Sequence, residues 1–248
     1  MAEVERITPY GEEDGRHKGE QVRDMFDSIA PAYDIMNRMM TLGVDKRWRK
    51  RCVKIVKESG AKTVLDVAAG TGDLTVALGR ALPSGSIVGA DLSEGMIEVG
   101  RRKIKEKGLE NSVSLVVADA LCLPFENDTF DALTIAFGVR NFENLSAGYT
   151  EMARVLKPGG TLVVLELTQP SSKIVKPFYR FYTRCVIPGV GRLVSKDRRA
   201  YSYLPESIAA VPTRNEMTAL ISECGFENAQ WKSLTFGVAA IYIAKKRI

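Results

Sequence analysis

The feature that most constrains the fold is an apolar, β-rich run that ends in two closely spaced glycines. Residues 63–68 read TVLDVA, residues 69–73 read AGTGD, and a helical pattern follows through Leu82. Glycines in such a loop allow a sharp turn and let a ligand approach the backbone, and the next helix presents free N–H groups to that ligand. A tight turn without a ligand would explain the loop alone. In either case the order strand, loop, helix predicts the first unit of an α/β sheet.

The alternation of strands and helices continues along the middle of the chain. Further strands are predicted at 86–90, 113–118, 130–137 and 161–167, with helices at 93–107 and 145–156. Strands separated by helices predict a mostly parallel sheet with helices on both faces. Residues 229–234 and 237–244 predict two closing strands joined by a short turn, which gives the sheet an antiparallel strand.

The 248 residues fit a single globular domain, with 45% hydrophobic and 26% charged residues. We expect a mobile arm over 1–19, helices over 20–58, a ligand-binding core over 62–168, a helical lid or substrate region over 169–211, and a closing helix and strands over 212–248. Within the helical region 169–211, residues 188–197 are predicted to form a mobile connection.

Composition and charge exclude several classes of function. The four cysteines, which include no CxxC pair, predict neither a zinc site nor a disulfide framework, and we expect no metal. A net charge of +5 does not favour nucleic acid. Only residues 176–199 approach a basic stripe with interleaved aromatic residues, and they carry Pro188 and several apolar residues. The chain has no run of 18 apolar residues and its N-terminus lacks the apolar core of a signal peptide. We therefore expect a cytoplasmic protein.

Asp91 indicates which kind of ligand the glycine loop serves. It ends the second strand, 21 residues after Gly70, where an acid in doubly wound folds accepts hydrogen bonds from ribose hydroxyls. The alternative is a helix cap shared with Ser93. A dinucleotide site usually carries a third glycine to seat the pyrophosphate, but position 75 is Thr, and Asp73 adds a negative charge beside the anion site. The pattern favours S-adenosylmethionine over a nicotinamide dinucleotide.

Asp119 and Ala120 follow the third strand, where a carboxylate can accept from an adenine amino group and a backbone N–H can donate to the ring. When the acid is taken alone, a strand-end turn explains it better than an adenine contact does. Because the carboxyl ends of parallel strands share one edge, the loop, Asp91 and Asp119 are expected to meet there.

The chain resembles the class I S-adenosylmethionine-dependent methyltransferases, which have a Rossmann-like fold, in VLDVAAGTGD, ADLSEGMIEVGRRK, ADALCLPFENDTFDALTIAFGVRN and EMARVLKPGG–LVVLEL. More narrowly it resembles the UbiE/MenG/COQ5 family of quinone C-methyltransferases, through TIAFGVRN, FDSIAPAYDIMN and YSYLPESI. The resemblance implies S-adenosylmethionine as methyl donor, with S-adenosylhomocysteine as product. It implies contacts to this cofactor from Gly70, Thr71, Gly72, Asp91, Leu92, Asp119 and Ala120.

Two positions depart from the family pattern. Ala69 stands where the family usually has Gly, and we expect its methyl group to narrow the approach of the methionyl part of the cofactor. Ala136 stands where some members have Ser, so no side-chain contact is expected there.

The family methylates a ring carbon of a polyprenylated quinol. The resemblance implies conversion of demethylmenaquinol to menaquinol, with a methoxy-benzoquinol of the ubiquinone path, both rings, or another small molecule as alternatives. Carbon methylation requires a phenolate-like ring, and Arg140 is the candidate for stabilising that charge, unless it only forms a salt bridge that closes its loop. His17 is not expected to act as the base, because it lies in the arm.

The substrate-binding candidates are Tyr33, Asn37 and Asn141, and Asp34 is a further candidate whose alternative role is helix capping. The polyprenyl tail must come from a bilayer. Residues 174–194 mix aromatic and branched side chains with Lys and Arg, which is typical of a surface lid on lipid, or of a helical cap over a sheet edge. Peripheral contact with the inner face of the membrane and a homodimer are left open.

Overall fold

The computed structural model describes residues 2–170, 172, 176–177, 179, 182 and 199–248. The helices of this part are α1 (Glu3–Arg6), α2 (Lys18–Ile29), α3 (Tyr33–Thr41), α4 (Asp45–Glu58), α5 (Asp73–Ala81), α6 (Glu94–Glu106), α7 (Leu145–Val155), α8 (Arg199–Ala209) and α9 (Arg214–Glu223). Its strands are β1 (Thr63–Val67), β2 (Ser86–Asp91), β3 (Val113–Val117), β4 (Phe130–Ala136), β5 (Leu156–Leu167), β6 (Phe226–Leu234) and β7 (Ala239–Lys246).

The seven strands form one sheet in the order β3-β2-β1-β4-β5-β7-β6. The first five of that order run parallel, and β7 pairs antiparallel with both β5 and β6. This confirms the predicted class I fold with its parallel core and antiparallel closing strand. The strand order reverses between β1 and β4, and ligands of open α/β sheets bind at such a point.

Successive side chains of the central strands point to opposite faces of the sheet, and both faces are buried. Leu65 and Leu133 belong to one hydrophobic cluster, whereas Val64 and Ala132 belong to a second cluster, with Trp48 of α4, on the other face. Burial on both faces explains why these strands read as continuous apolar runs. It also leaves the strand ends as the place for polar chemistry.

The N-terminal residues differ from the expected mobile arm. Val4 of α1 is fully buried in the main hydrophobic cluster, and Glu5 Oε1 accepts a hydrogen bond from the backbone N–H of Leu145 (2.7 Å). The Lys18 ammonium is also buried and donates to the carbonyls of Val4 (2.6 Å) and Arg140 (3.1 Å). Val4, Glu5 and Lys18 together anchor the segment, and average composition does not reveal these contacts.

The start of β5 also differs from the sequence prediction. Strand β5 begins at Leu156, which pairs with Phe130, and the register shifts between Phe130 and Ala132. The Pro-Gly-Gly at 158–160 therefore lies inside the strand as an irregularity and is not a turn before it. In the expected helical region, α8 is described, whereas most of the proposed lid over 174–194 and the connection over 188–197 lie outside the described residues.

Candidate active site

A cavity lies at the carboxyl ends of the parallel strands, and we call it the strand-end cavity. The described residues that line it include Gly70, Asp91, Leu92, Asp119 and Ala120, which are five of the predicted cofactor contacts. Helix α2 covers the cavity with Val22 and Phe26, among others. The topology thus brings together residues that are 50 positions apart in the chain, as expected for a parallel sheet.

Asp91 holds the glycine loop in place. Its Oδ2 accepts from the backbone N–H of Gly70 (2.7 Å) and its Oδ1 from that of Ser93 (2.9 Å). Burial raises the pKa of Asp91, and these two N–H donors act against that rise. Ser93 is the N-cap of α6, since its Oγ accepts from the Met96 N–H. A carboxylate offers about four acceptor positions, so Asp91 retains capacity for the hydroxyls of a ribose.

Thr71 and Gly72 do not belong to the described lining of the strand-end cavity. Gly70 and Gly72 both have left-handed backbone conformations, with φ of 57° and 75°, so the loop turns away after Gly70. The Thr71 hydroxyl donates to Asp34 Oδ1 (2.6 Å) and accepts from Lys103 Nζ (3.2 Å). The structure therefore places the Thr71 side chain in a polar cluster behind the loop.

Lys103 compensates the negative charge of Asp73. Its ammonium lies 2.5 Å from Asp73 Oδ1 and 2.7 Å from Asp34 Oδ2. Burial raises the pKa of Asp73, but the lysine outweighs burial and holds it below its usual value. Because the charge of Asp73 is compensated, it does not by itself disfavour a phosphate. Position 75 still lacks the third glycine of a dinucleotide site. The hydroxyl of Thr75, which stands there, donates to Asp66 Oδ2 (2.6 Å).

Asp66 is a buried acid that the sequence argument passed over. Burial among the strands raises its pKa to about 6, and the hydroxyls of Thr75 and Thr134 donate to it at 2.6 Å each. The sequence feature that could have indicated this buried acid is a single carboxylate within an apolar strand, with Thr134 opposite it in the neighbouring strand. It ties β1, β4 and the start of α5 together directly beneath the glycine loop.

A second, larger cavity of about 420 Å³ adjoins the first, and we call it the apolar cavity. Its volume lies within the range of small-molecule sites, about 300–1,000 Å³. Tyr33, Asn37, Trp48, Phe137 and Arg140 are among its lining residues. Tyr33 and Phe137 also line the strand-end cavity, so the two cavities share one wall.

Arg140 is the principal buried cation of the apolar cavity. Its Nη1 donates to Glu166 Oε1 (2.9 Å) and to the Phe137 carbonyl, and Glu166 is fully buried. Burial acts to lower the pKa of Arg140, but the Glu166 carboxylate raises it above its ordinary value, so the guanidinium stays charged. Its Nε is buried and has no hydrogen-bond partner in the described part of the chain. The expected salt bridge is present, and a donor remains beside it.

The other substrate candidates separate between the two cavities. Tyr33 and Asn37 line the apolar cavity, whereas Asn141 lines the strand-end cavity and its Oδ1 accepts from the Tyr203 hydroxyl (3.0 Å). Burial raises the pKa of Tyr33, so its hydroxyl stays protonated. His17 lies at the surface, 3.2 Å from Glu143.

Ala69 is not among the described residues that line either cavity. Its methyl group packs with the second hydrophobic cluster, beside Gly89 of β2. We therefore expect Ala69→Gly to change affinity for S-adenosylmethionine by no more than about twofold, as for a substitution away from the site. Titration calorimetry measures this. Gly70→Ala is the matched control and should bind more weakly, because φ is 57° there. A large gain in affinity for Ala69→Gly would show that its methyl does obstruct the cofactor.

No group of three or more His, Cys, Asp or Glu side chains in the described ranges could hold a metal ion. Of the helices described, none combines the length and the apolar character that a membrane span requires.

Comparison with known proteins identifies what the chain resembles as a whole. The model of the ubiE/COQ5 methyltransferase family matches residues 15–246. A demethylmenaquinone methyltransferase of Bacteroides fragilis is 46% identical over 242 residues, covering 98% of both chains. The ubiquinone/menaquinone biosynthesis C-methyltransferase UbiE of Geobacter sulfurreducens is 45% identical over 92% of this chain and 90% of its own length. A solved putative S-adenosyl-L-methionine-dependent methyltransferase of Methanococcus maripaludis, 18% identical, superposes with a TM-score of 0.63 over 90% of this chain and 94% of its own, and supports the fold.

Proposed function

The chain belongs to the ubiE/COQ5 methyltransferase family, and from that premise we propose that it transfers a methyl group from S-adenosylmethionine to a ring carbon of a polyprenylated quinol, converting demethylmenaquinol to menaquinol. The observation that carries the proposal is the pair of adjoining cavities, one at the strand ends that contains the carboxylates of Asp91 and Asp119 and one that is apolar with a buried cation. The two cavities share Tyr33 and Phe137. A methyl donor and an apolar acceptor require such neighbouring sites.

The residues of the strand-end cavity fit S-adenosylmethionine. Asp91 retains acceptor positions for ribose hydroxyls, Asp119 offers a second carboxylate, and Leu92, Met96 and Phe142 form apolar walls for a purine. Its volume of about 100 Å³ is below the usual range for ligand sites. We propose that helix α2, which lines this cavity with Val22 and Phe26, moves outward when the cofactor enters. Asp27 of α2 limits that motion, since it accepts from Ser93 Oγ and the Gly95 N–H.

Strained backbone at the shared wall supports a functional role for it. Ala68 and Phe137, which follow β1 and β4, have φ of 50° and 63°. Such conformations cost about 1–3 kcal/mol in non-glycine residues and cluster at functional sites. A Cβ built on Gly138 would lie 2.5 Å from the Ala68 Cβ, so the two strand ends approach closely. That approach brings Phe137 to the boundary between the cavities.

Arg140 carries the electrostatic part of the mechanism. S-adenosylmethionine, when bound, supplies an electrophilic methyl group. The chain must favour the quinol that has lost a hydroxyl proton to solvent, because its negative charge spreads to the ring carbon that attacks. The methyl–sulfur bond would break to leave S-adenosylhomocysteine, and the proton on the methylated ring carbon would pass to the phenolate oxygen, which restores the aromatic quinol. A guanidinium kept charged by Glu166 stabilises that phenolate in a water-poor cavity, where fixed donors act most strongly. Tyr33 and Asn37 flank the ring, and the apolar lining excludes water.

The proposal also specifies which quinol ring the enzyme methylates. Demethylmenaquinol is favoured because the Bacteroides fragilis relative carries the name demethylmenaquinone methyltransferase. A methoxy-benzoquinol of ubiquinone biosynthesis is the second candidate, favoured by the name of the Geobacter sulfurreducens relative. Both rings, in the reduced form, bear a hydroxyl that can ionise as the mechanism requires.

Methyl transfer to chemically reduced demethylmenaquinol tests the function directly. We expect labelled methyl from S-adenosylmethionine to appear in menaquinol, and no product from the oxidised quinone, which has no hydroxyl to ionise. The methoxy-benzoquinol serves as the competing substrate in the same assay. Quinone analysis of a deletion strain identifies the ring in cells. An enzyme that binds S-adenosylmethionine but methylates neither quinol would contradict the proposal.

A further inference from the structure

Large apolar side chains are exposed near residues that line the apolar cavity. Ile35 and Met39 of α3, and Leu42 directly after the helix, lie at i, i+4 and i+7, with 58%, 43% and 80% exposure. Phe236, in the turn between β6 and β7, is 81% exposed. Its neighbour Thr235 lines the apolar cavity together with Leu42. We call these four side chains the apolar rim.

The segment that carries most of this rim is strongly basic. Residues 35–57 contain eight Lys and Arg and a single acid, Asp45, which gives a net charge of +7 in a chain whose total is +5. Asp45 is buried and paired with Arg49, so it does not offset the charge at the surface. The exposed bases of α4 are Lys46, Arg47, Lys50, Arg51, Lys54 and Lys57. The rest of the chain together carries a net charge of −2, the total of +5 less the +7 of this segment.

We propose that the apolar rim and the first turns of α4 form a docking surface for an anionic lipid bilayer, which places the mouth of the apolar cavity against the membrane. Exposed apolar side chains flanked by Lys and Arg match the interfacial region of such a bilayer. A second copy of this chain fits less well, because a two-fold interface would oppose two surfaces that each carry the exposed bases Lys46, Arg47 and Lys50. Nucleic acid would leave the rim in water.

The surface gives the site a route to its substrate, a step that rests on the proposed function. A quinol with a polyprenyl tail resides in lipid, and transfer through water would expose the tail. The apolar cavity is bounded by Leu42 and Thr235 on the side of the rim. Docking there lets the ring enter the cavity while its tail remains in the bilayer.

Vesicle binding by the purified full-length protein tests the docking surface. The probes are vesicles of phosphatidylcholine alone and vesicles in which about a third of the lipid is phosphatidylglycerol. We expect binding to the anionic vesicles, weakened by salt. The variant Lys46→Gln/Arg47→Gln/Lys50→Gln should bind them roughly 100-fold more weakly. The matched control Arg102→Gln/Lys105→Gln/Lys107→Gln removes the same charge from exposed positions at the end of α6 and just beyond it, and should bind as the wild type does.

A second variant tests the apolar part. Ile35→Gln/Met39→Gln/Phe236→Asn removes rim side chains that do not line the described cavity, and asparagine tolerates the left-handed backbone of residue 236, where φ is 57°. It should lose the binding that survives high salt. Equal weakening by the α6 control, binding to both vesicle types that neither variant affects, or a concentration-dependent dimer that the variants abolish would each overturn the proposal.

Activity separates this proposal from the proposed function. Both variants should methylate a short-tailed, water-soluble quinol at the wild-type rate and lose at least about tenfold on a vesicle-embedded quinol. Equal loss on the two substrates would overturn the docking surface. If the wild type methylates neither quinol, the proposed function fails, and the vesicle measurements still decide whether the surface binds lipid.

Discussion

Replacing Arg140 by lysine is expected to lower kcat by roughly 100- to 1,000-fold, the usual cost of removing one donor that stabilises a developing oxyanion. Lysine preserves the charge that faces Glu166, but it lacks the planar fork that lets arginine bond Glu166 and the Phe137 carbonyl while Nε remains available. Affinity for S-adenosylmethionine should stay within about twofold of the wild type. Steady-state kinetics with reduced quinol and calorimetry with the cofactor measure the two quantities.

The control variants must separate catalysis from folding. Alanine at 140 would leave the buried Glu166 carboxylate unpaired, which costs about 3–5 kcal/mol, so the second test is the neutral pair Arg140→Gln/Glu166→Gln. Arg154→Lys is the matched control, because that guanidinium bonds Glu151 and two carbonyls away from both cavities. If the Arg140 variants fold and retain near-normal kcat, the residue only closes its loop. The stabilising role would then pass to Tyr33 and Asn37.

The sequence predicts most of the sheet and the position of the strand-end cavity. Apolar runs with a period that switches between strand and helix locate β1 to β5, and parallel order forces their carboxyl ends to one edge. Asp91 and Asp119 could be placed there without coordinates because each directly follows a strand. The family followed from family-specific segments, and the family match over residues 15–246 confirms it.

The direction of a side chain within a loop cannot be predicted in the same way. Thr71 lies between two glycines with left-handed backbone, and its hydroxyl bonds Asp34 and Lys103, which are 37 and 32 residues distant. Neither partner follows from local spacing. The apolar cavity could not be predicted from the sequence either, because α3, α4 and the turn after β6 form it together. Contacts between distant segments, and not local propensity, decide these details.

Asp91→Ala is expected to weaken binding of S-adenosylmethionine by about 10- to 150-fold, which corresponds to roughly 1.5–3 kcal/mol for hydrogen bonds to a charged group. Calorimetry on the folded variant measures this loss. Glu94→Ala is the matched control, since it removes an exposed acid three residues further on and should have little effect.

The loop contacts of Asp91 complicate this result, because the same carboxylate holds Gly70 and Ser93. A loop that has lost its anchor would also bind the cofactor poorly. S-adenosylhomocysteine and its 2′-deoxy analogue distinguish the two effects when each is titrated into the wild type and the variant. If Asp91 bonds the ribose, the wild type should bind the 2′-deoxy analogue more weakly than S-adenosylhomocysteine. In Asp91→Ala the two affinities should differ much less, because the hydrogen bond between the carboxylate and the hydroxyl is already absent. Equal losses in both proteins would limit Asp91 to holding the loop, and the ribose partner would have to be sought elsewhere along the strand-end cavity.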